Sequence, residues 1–166
     1  MRRRAIARCR QLKRFGFPAM LSSGALNQGA YVSTQRAILL IRTMVGCIFL
    51  SEGIQKFLFA ETLGSGRFVK LGVPFPEVMG PVVGAFEITM GLLILLGFFT
   101  RFAAVPLFVI MLNAIFFTKV PQLIEKGFWI TAHEGRTDFS MLLGTLFLML
   151  VGAGSLSLDH KIRKLN

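Results

Sequence analysis

Apolar residues in this chain gather into four long runs joined by short polar stretches. The first goes from Ala37 to Phe59, the second from about Val78 to Phe99, the third from Phe102 to Thr118 and the fourth from about Phe139 to Leu156. At about 1.5 Å of rise per residue, a helix the length of the first run covers about 34 Å, enough to cross the hydrocarbon of a bilayer with some tilt. Gly64, Gly66 and Gly72 mark a loop between the first two runs, and Thr100-Arg101 is a tight joint between the second and third. Lys119 to Asp138 reads as a second loop, ahead of the fourth run. The pattern predicts an all-α fold, an integral membrane antiparallel four-helix bundle over residues 36–159. A basic N-terminal tail (1–35) precedes it and a short basic C-terminal tail (160–166) follows.

Small residues set how these helices meet. Helices in lipid gain little from hydrophobic association, so close backbone approach through small residues matters. Gly80, Gly84, Glu87 and Gly91 lie on one face of the second run, and Arg42, Gly46, Phe49, Gly53 and Lys56 keep the same spacing in the first. The stripes predict packing faces, and they turn Glu87 toward a neighbouring helix.

Composition agrees with the pattern: 54% of the residues are hydrophobic, 16% are charged and 17 are Phe, too few polar groups to cover a soluble domain. The net charge of +11 would suggest nucleic acid, but its distribution argues otherwise. Arg2, Arg3, Arg4, Arg8, Arg10, Lys13 and Arg14 precede the first run, Lys161, Arg163 and Lys164 follow the last, and no aromatic platform accompanies them. Basic clusters flanking spans suit anionic headgroups and the positive-inside rule, which places both termini in the cytoplasm. The first 35 residues contain no acid and have some transit-peptide character, but Gly16, Pro18 and Gly24 interrupt them, and they read better as a retained tail. Cys9 and Cys47 fall in a polar tail and an apolar run, so a dithiol redox pair is excluded.

Ionisable groups inside apolar runs carry the candidate chemistry, because each costs roughly 2.5–3.5 kcal/mol to insert. Glu87 stands mid-run, to be protonated, paired with Lys56 or Arg42, or hydrogen-bonded to Asn113. Glu52 and Lys56 are four apart, so they can neutralise each other or serve a site. The topology brings Glu52, Gln55, Lys56, Thr118, Lys119 and Asp138 to the outer mouth of the bundle, with Trp129, His133, Glu134, Arg136 and Thr137 in the outer loop. Asp138 also reads as an ordinary helix N-cap. Glu87, Glu52, Lys56 and His133 are the candidate proton-handling residues, and Asn113, Lys119, Trp129, Arg136 and Asp138 the candidate ligand-binding ones. The sequence offers no metal-ligand cluster, phosphate loop, dinucleotide fingerprint or nucleophile elbow. His133 and His160 fall on opposite sides, which excludes a bis-histidine haem.

Several segments taken in order resemble the DoxX family of small bacterial membrane proteins. They are Phe49-Leu50-Ser51-Glu52-Gly53-Ile54-Gln55-Lys56-Phe57, Gly72-Val73-Pro74, Val83-Gly84-Ala85-Phe86-Glu87 with Gly91, and Gly97-Phe98-Phe99-Thr100-Arg101. Thr118-Lys119-Val120-Pro121, Gly127-Phe128-Trp129 and His133-Glu134-Gly135-Arg136-Thr137-Asp138-Phe139 resemble one subgroup, and Gly152-Ala153-Gly154-Ser155-Leu156-Ser157-Leu158-Asp159 is similar to the family's ending. The resemblance implies a four-helix bundle in a bacterial inner membrane. Some relatives are described as the membrane subunit of thiosulfate:quinone oxidoreductase, others as partners of redox or stress proteins. It follows as an expectation that the chain is a redox-associated membrane subunit offering a quinone site. Because the chain encodes no electron carrier, other membrane or peripheral subunits would supply one, and the chain would be enzymatic only as the quinone-facing part of an oxidoreductase. The alternatives are a non-catalytic scaffold or accessory subunit and, further off, a small-solute carrier, which would need to oligomerise. The long basic tail departs from the family pattern.

Overall fold

A computed structural model describes the backbone of residues 23–165 and the side chains of residues 34–162 and 164. Residues 1–22, most of the expected tail, lie outside the described residues. The elements are α1 (Ser23–Leu58), α2 (Ser65–Lys70), α3 (Pro76–Leu96), α4 (Thr100–Lys126), α5 (Phe128–Val151) and α6 (Leu158–Leu165). The bundle belongs to the compact unit Gln35–Asn166.

Three stretches are long and apolar enough to cross a membrane: Thr34–Leu58, Pro76–Leu96 and Thr100–Lys126. Helix α5 has 24 residues, and its one long apolar stretch follows Asp138. It completes an antiparallel four-helix arrangement in which α1 touches α3 and α5, and α4 touches the same two. Val45, Phe49, Ile94, Ala103, Ala104, Leu107, Met111, Met141 and Leu148 form the core. Large apolar side chains cover the outside, Phe102, Ile124 and Leu40 being 77%, 81% and 72% exposed. In water such a surface would be an aggregation liability; in a bilayer it is the solvated face.

The glycine stripes work as predicted. A Cβ on Gly53 would lie 2.7 Å from the Gly84 carbonyl oxygen, and one on Gly91 would lie 3.2 Å from that of Gly46. The backbones of α1 and α3 therefore touch directly at two levels, and Gly144 of α5 gives the same access to Val45 of α1 (2.7 Å).

The expected loop from Lys119 to Asp138 is mostly helix. Helix α4 continues through Pro121 to Lys126, only Gly127 (φ 80) breaks the chain, and α5 starts at Phe128. Hydropathy marks where apolar solvent ends, and these helices continue past that point by exchanging polar contacts. Lys119 pairs with Asp138 at 3.3 Å, Lys126 lies 3.9 Å from Glu134, and the Gln122 amide donates to the Glu134 carboxylate. At the other end α5 stops at Val151, short of the expected Leu156. There Gly152 (φ 85) and Gly154 (φ 72) take left-handed conformations and turn the chain toward α6.

Substituting Gly53→Leu should lower stability in detergent by about 1–3 kcal/mol, the usual range for overpacking a close contact. Gly135→Ala, whose added Cβ meets nothing nearer than the Lys119 side chain at 3.8 Å, should raise the melting midpoint slightly, since alanine is the better residue in a helix interior. Thermal melts of both purified variants check this.

Candidate functional site

The contact of α1 with α3 decides where the buried charges go. With Gly53 and Gly84 letting the helices touch, Lys56 lies one helical step beyond Gly53, against α3, and a Cβ on Gly84 would come within 3.3 Å of its Cβ. Its ammonium donates to the Glu87 carboxylate at 2.6 Å, with side-chain exposures of 12% for Lys56 and 5% for Glu87. Glu52, one turn earlier on α1, stands 3.9 Å from the same ammonium and is 49% exposed. The result is a graded acid–base–acid row, from a carboxylate within the bundle to one near its surface.

This row borders a cavity of about 450 Å³. Phe49 and Ile48 of α1, Val83 and Met79 of α3, Ile110, Met111, Ala114 and Phe117 of α4 and Met141 of α5 supply apolar walls. Helix α2 and the following loop add Phe68, Leu71, Val73 and the exposed Arg67. Asn113, Thr118, Thr137 and Asp138 are the remaining polar lining groups. Asn113 gives one amide hydrogen to the Val109 carbonyl at 2.8 Å, and its amide oxygen accepts nothing among the described residues. Thr118 donates to Ala114 within its own helix at 2.6 Å. The cavity is thus mostly apolar, with polar groups at a few fixed points, the usual character of a small-molecule site.

The predicted site residues divide between two places. Glu52, Lys56, Glu87, Asn113 and Asp138 line the cavity, and Lys119 adjoins it through its ion pair with Asp138. Trp129, His133 and Arg136 do not line it. Trp129 is 83% exposed and meets Phe128 edge-on at 5.2 Å, while His133 lies 3.4 Å from Arg136 on the exposed face of α5. Of the partners considered for Glu87, the structure selects Lys56. No group of His, Cys, Asp or Glu suited to a metal ion occurs among the described residues.

Arg42 has a different task, at the opposite end of the bundle. Only 3% exposed, it donates from Nε to the Ile94 carbonyl (2.9 Å) and from Nη2 to that of Leu95 (2.9 Å), both at the C-terminal end of α3. Its Nη1 reaches the carbonyls of Ala153 (2.8 Å) and Leu156 (2.9 Å). A guanidinium suits this role because its planar fork serves several acceptors, and because carbonyls at a helix C-terminus carry partial negative charge. The position of Arg42 on the glycine stripe was legible in the sequence, but not that its acceptors would be backbone oxygens. Arg67 and the wall built by α2 carried no such signal.

Removing one partner of the inner pair should expose its cost. Lys56→Met should destabilise by about 3–5 kcal/mol through the unpaired Glu87, and the double variant Lys56→Met/Glu87→Leu should recover most of that. Equilibrium unfolding of the single and double variants in one detergent tests the coupling.

Comparison with known proteins supplies the lineage. The sequence profile of the DoxX family matches residues 37–120. Over 134 residues the chain is 46% identical to an uncharacterised membrane protein of Mycobacterium tuberculosis, covering 77% of this chain and 82% of that one. A Bacillus subtilis protein named as a candidate oxidoreductase, CatD, is 31% identical, covering 76% of this chain and 87% of the relative. The Escherichia coli inner membrane protein YphA is 28% identical, covering 75% of this chain and 89% of its own length. No solved structure matches the chain at a significant level.

Proposed function

The chain belongs to the DoxX family, and from that premise we propose that it is a membrane subunit whose cavity takes a quinone-type ring and serves an oxidoreductase partner. The observation that supports this most is the cavity wall itself: a mostly apolar lining of about 450 Å³ interrupted by the Lys56–Glu87 pair with Glu52 on one side, and by Asn113 and Asp138 elsewhere. A quinone needs a flat apolar slot, a hydrogen-bond partner for each oxygen and a route for protons. When bound, it supplies reversible two-electron, two-proton chemistry. Lys56 keeps donor capacity beyond the hydrogen it gives Glu87, and Asn113 has an unused amide oxygen and a second amide hydrogen. Glu87 holds or releases a proton inside the bundle, and Glu52 (49% exposed) passes it to the medium. The apolar residues of α3 and α4 exclude bulk water. Electrons come from a partner chain bearing flavin or metal, a role consonant with the name of the Bacillus subtilis relative. The inner membrane is the location that the name of the Escherichia coli relative supports, and the basic flanks favour cytoplasmic termini.

A second reading rests on the same ion pair. Because Lys56 and Glu87 already satisfy each other at 2.6 Å, the chain can act as a non-catalytic accessory subunit whose pair fixes helix register.

Equilibrium dialysis of a short-chain ubiquinone against the detergent-solubilised full chain separates the two. Wild type should bind it stoichiometrically. Ala114→Trp, which projects an indole into the cavity from α4 and keeps both partners of the ion pair, should abolish binding, and Asn113→Leu should weaken it about tenfold, the worth of one hydrogen bond. Equal binding by all three proteins, or none by wild type, would leave the accessory-subunit reading.

A further inference from the structure

At the end of the bundle opposite the quinone-type cavity lies a second hollow of about 580 Å³, where α4 begins and α5 gives way to α6. We propose that this hollow holds the phosphate group of a membrane lipid, with exposed Arg101 as its principal ligand and the buried, unpartnered hydroxyl of Thr100 at its floor.

Thr100 is the most informative residue there. It lines the hollow and is 1% exposed, and its hydroxyl is the one buried side-chain polar atom without a hydrogen-bond partner among the described residues. Buried polar groups are normally satisfied, so an orphan beside a cavity marks the place of an absent acceptor or donor. Thr100 is also the first residue of α4, a 27-residue helix with no side-chain cap and no acid in its first turn. Its first N–H groups face this end, and the helix dipole favours an anion there.

The neighbouring charges favour the same ligand. Arg101, exposed, uses only Nη2, on the Leu150 (3.1 Å) and Val151 (3.4 Å) carbonyls, and it forms no ion pair among the described residues. Asp159 also lines the hollow, with one carboxylate oxygen accepting the Phe99 N–H at 3.1 Å. Buried Arg42 stands behind it: Asp159 N–H bonds the Gly97 carbonyl at 3.1 Å, and a Cβ on Gly97 would lie 2.7 Å from the Arg42 Cζ. Two guanidiniums against one carboxylate leave a net positive end without counting His160, which shares the lining.

The rim points to a lipid as the bearer of the phosphate. Phe99, Phe102 and Ile162 line the hollow and are 55%, 77% and 46% exposed, a surface for acyl chains beside a polar recess. The recess sits where apolar α4 begins, at headgroup depth for a helix that crosses the membrane. Phosphate pairs with Arg there through forked hydrogen bonds, while the apolar rim adds affinity that inorganic phosphate cannot use.

The test is native mass spectrometry of the delipidated full chain titrated with dioleoylphosphatidylglycerol, dioleoylglycerol or inorganic phosphate. One phosphatidylglycerol should be retained per chain, dioleoylglycerol should not be, and millimolar phosphate should compete weakly. Thr100→Val, which keeps the shape and removes an unsatisfied hydroxyl, should fold normally and bind about fivefold more weakly. Arg101→Gln should lose about tenfold, and Lys161→Gln on α6 should bind as wild type. The proposal fails if Thr100→Val and Arg101→Gln both bind as wild type, or if dioleoylglycerol is retained equally. It also fails if Lys161→Gln loses as much as Arg101→Gln, which would assign binding to the basic tail. Phosphate displacing the lipid at equal concentration would replace the lipid with a soluble phosphate ligand.

Discussion

Everything in this bundle depends on two backbones touching. Where Gly53 meets Gly84 and Gly46 meets Gly91, any side chain larger than hydrogen would come within about van der Waals contact of a carbonyl oxygen or closer, at 2.7 to 3.3 Å. Helices that close share many weak contacts and short Cα–H···O approaches, the main attractions left to them where lipid is as apolar as the protein. The contact also sets register. With two levels of glycine matched, the residues just beyond them on α1 have a single place to go: Arg42 beneath the end of α3, and Lys56 against Glu87.

The two buried cations answer the same cost differently. Arg42 surrounds itself with four backbone carbonyls that a helix end and a turn would otherwise leave unpaired, so one charge satisfies several acceptors and ties the closing segment to α1 and α3. No carboxylate is among its acceptors, and the guanidinium is structural. Lys56 is paired with a carboxylate and opens onto a cavity, with a second carboxylate in reach. A pair that can exchange protons, set beside an apolar slot, has chemical uses that a guanidinium locked on carbonyls lacks. This contrast supports placing the proposed redox function at the Lys56 end, with Arg42 as a structural tie at the other.

The path from sequence to site was uneven, for physical reasons. Glu52, Lys56 and Glu87 were legible because charges inside an apolar run are expensive, and the glycine spacing told which face they occupy. Asp138 followed from helix ends converging, and Asn113 from being a polar side chain inside an apolar run and a candidate partner for Glu87. Trp129, His133 and Arg136 had been grouped with them on the assumption of an outer loop folded over the mouth; that stretch is helical, and rotation about α5 carries their side chains away from the cavity. Arg67 and Phe68 were hidden because a six-residue helix in a glycine-rich loop has no periodicity to read.

The sequence by itself determined the class and the packing faces, because long apolar runs admit only helices in lipid and because glycine every third or fourth residue leaves one face bare. It did not determine where the helices stop. Helix α4 outlasts its apolar run because Lys119, Gln122 and Lys126 find partners on α5, and α5 falls short of its run because Gly152 and Gly154 turn the chain into the reach of Arg42 and Gln35. Partner choice among the buried charges was likewise a tertiary matter. Lys56 and Arg42 share a stripe and a sign; the place of Glu87 on α3 gave one a carboxylate, and the end of α3 together with the turn after α5 gave the other a row of carbonyls.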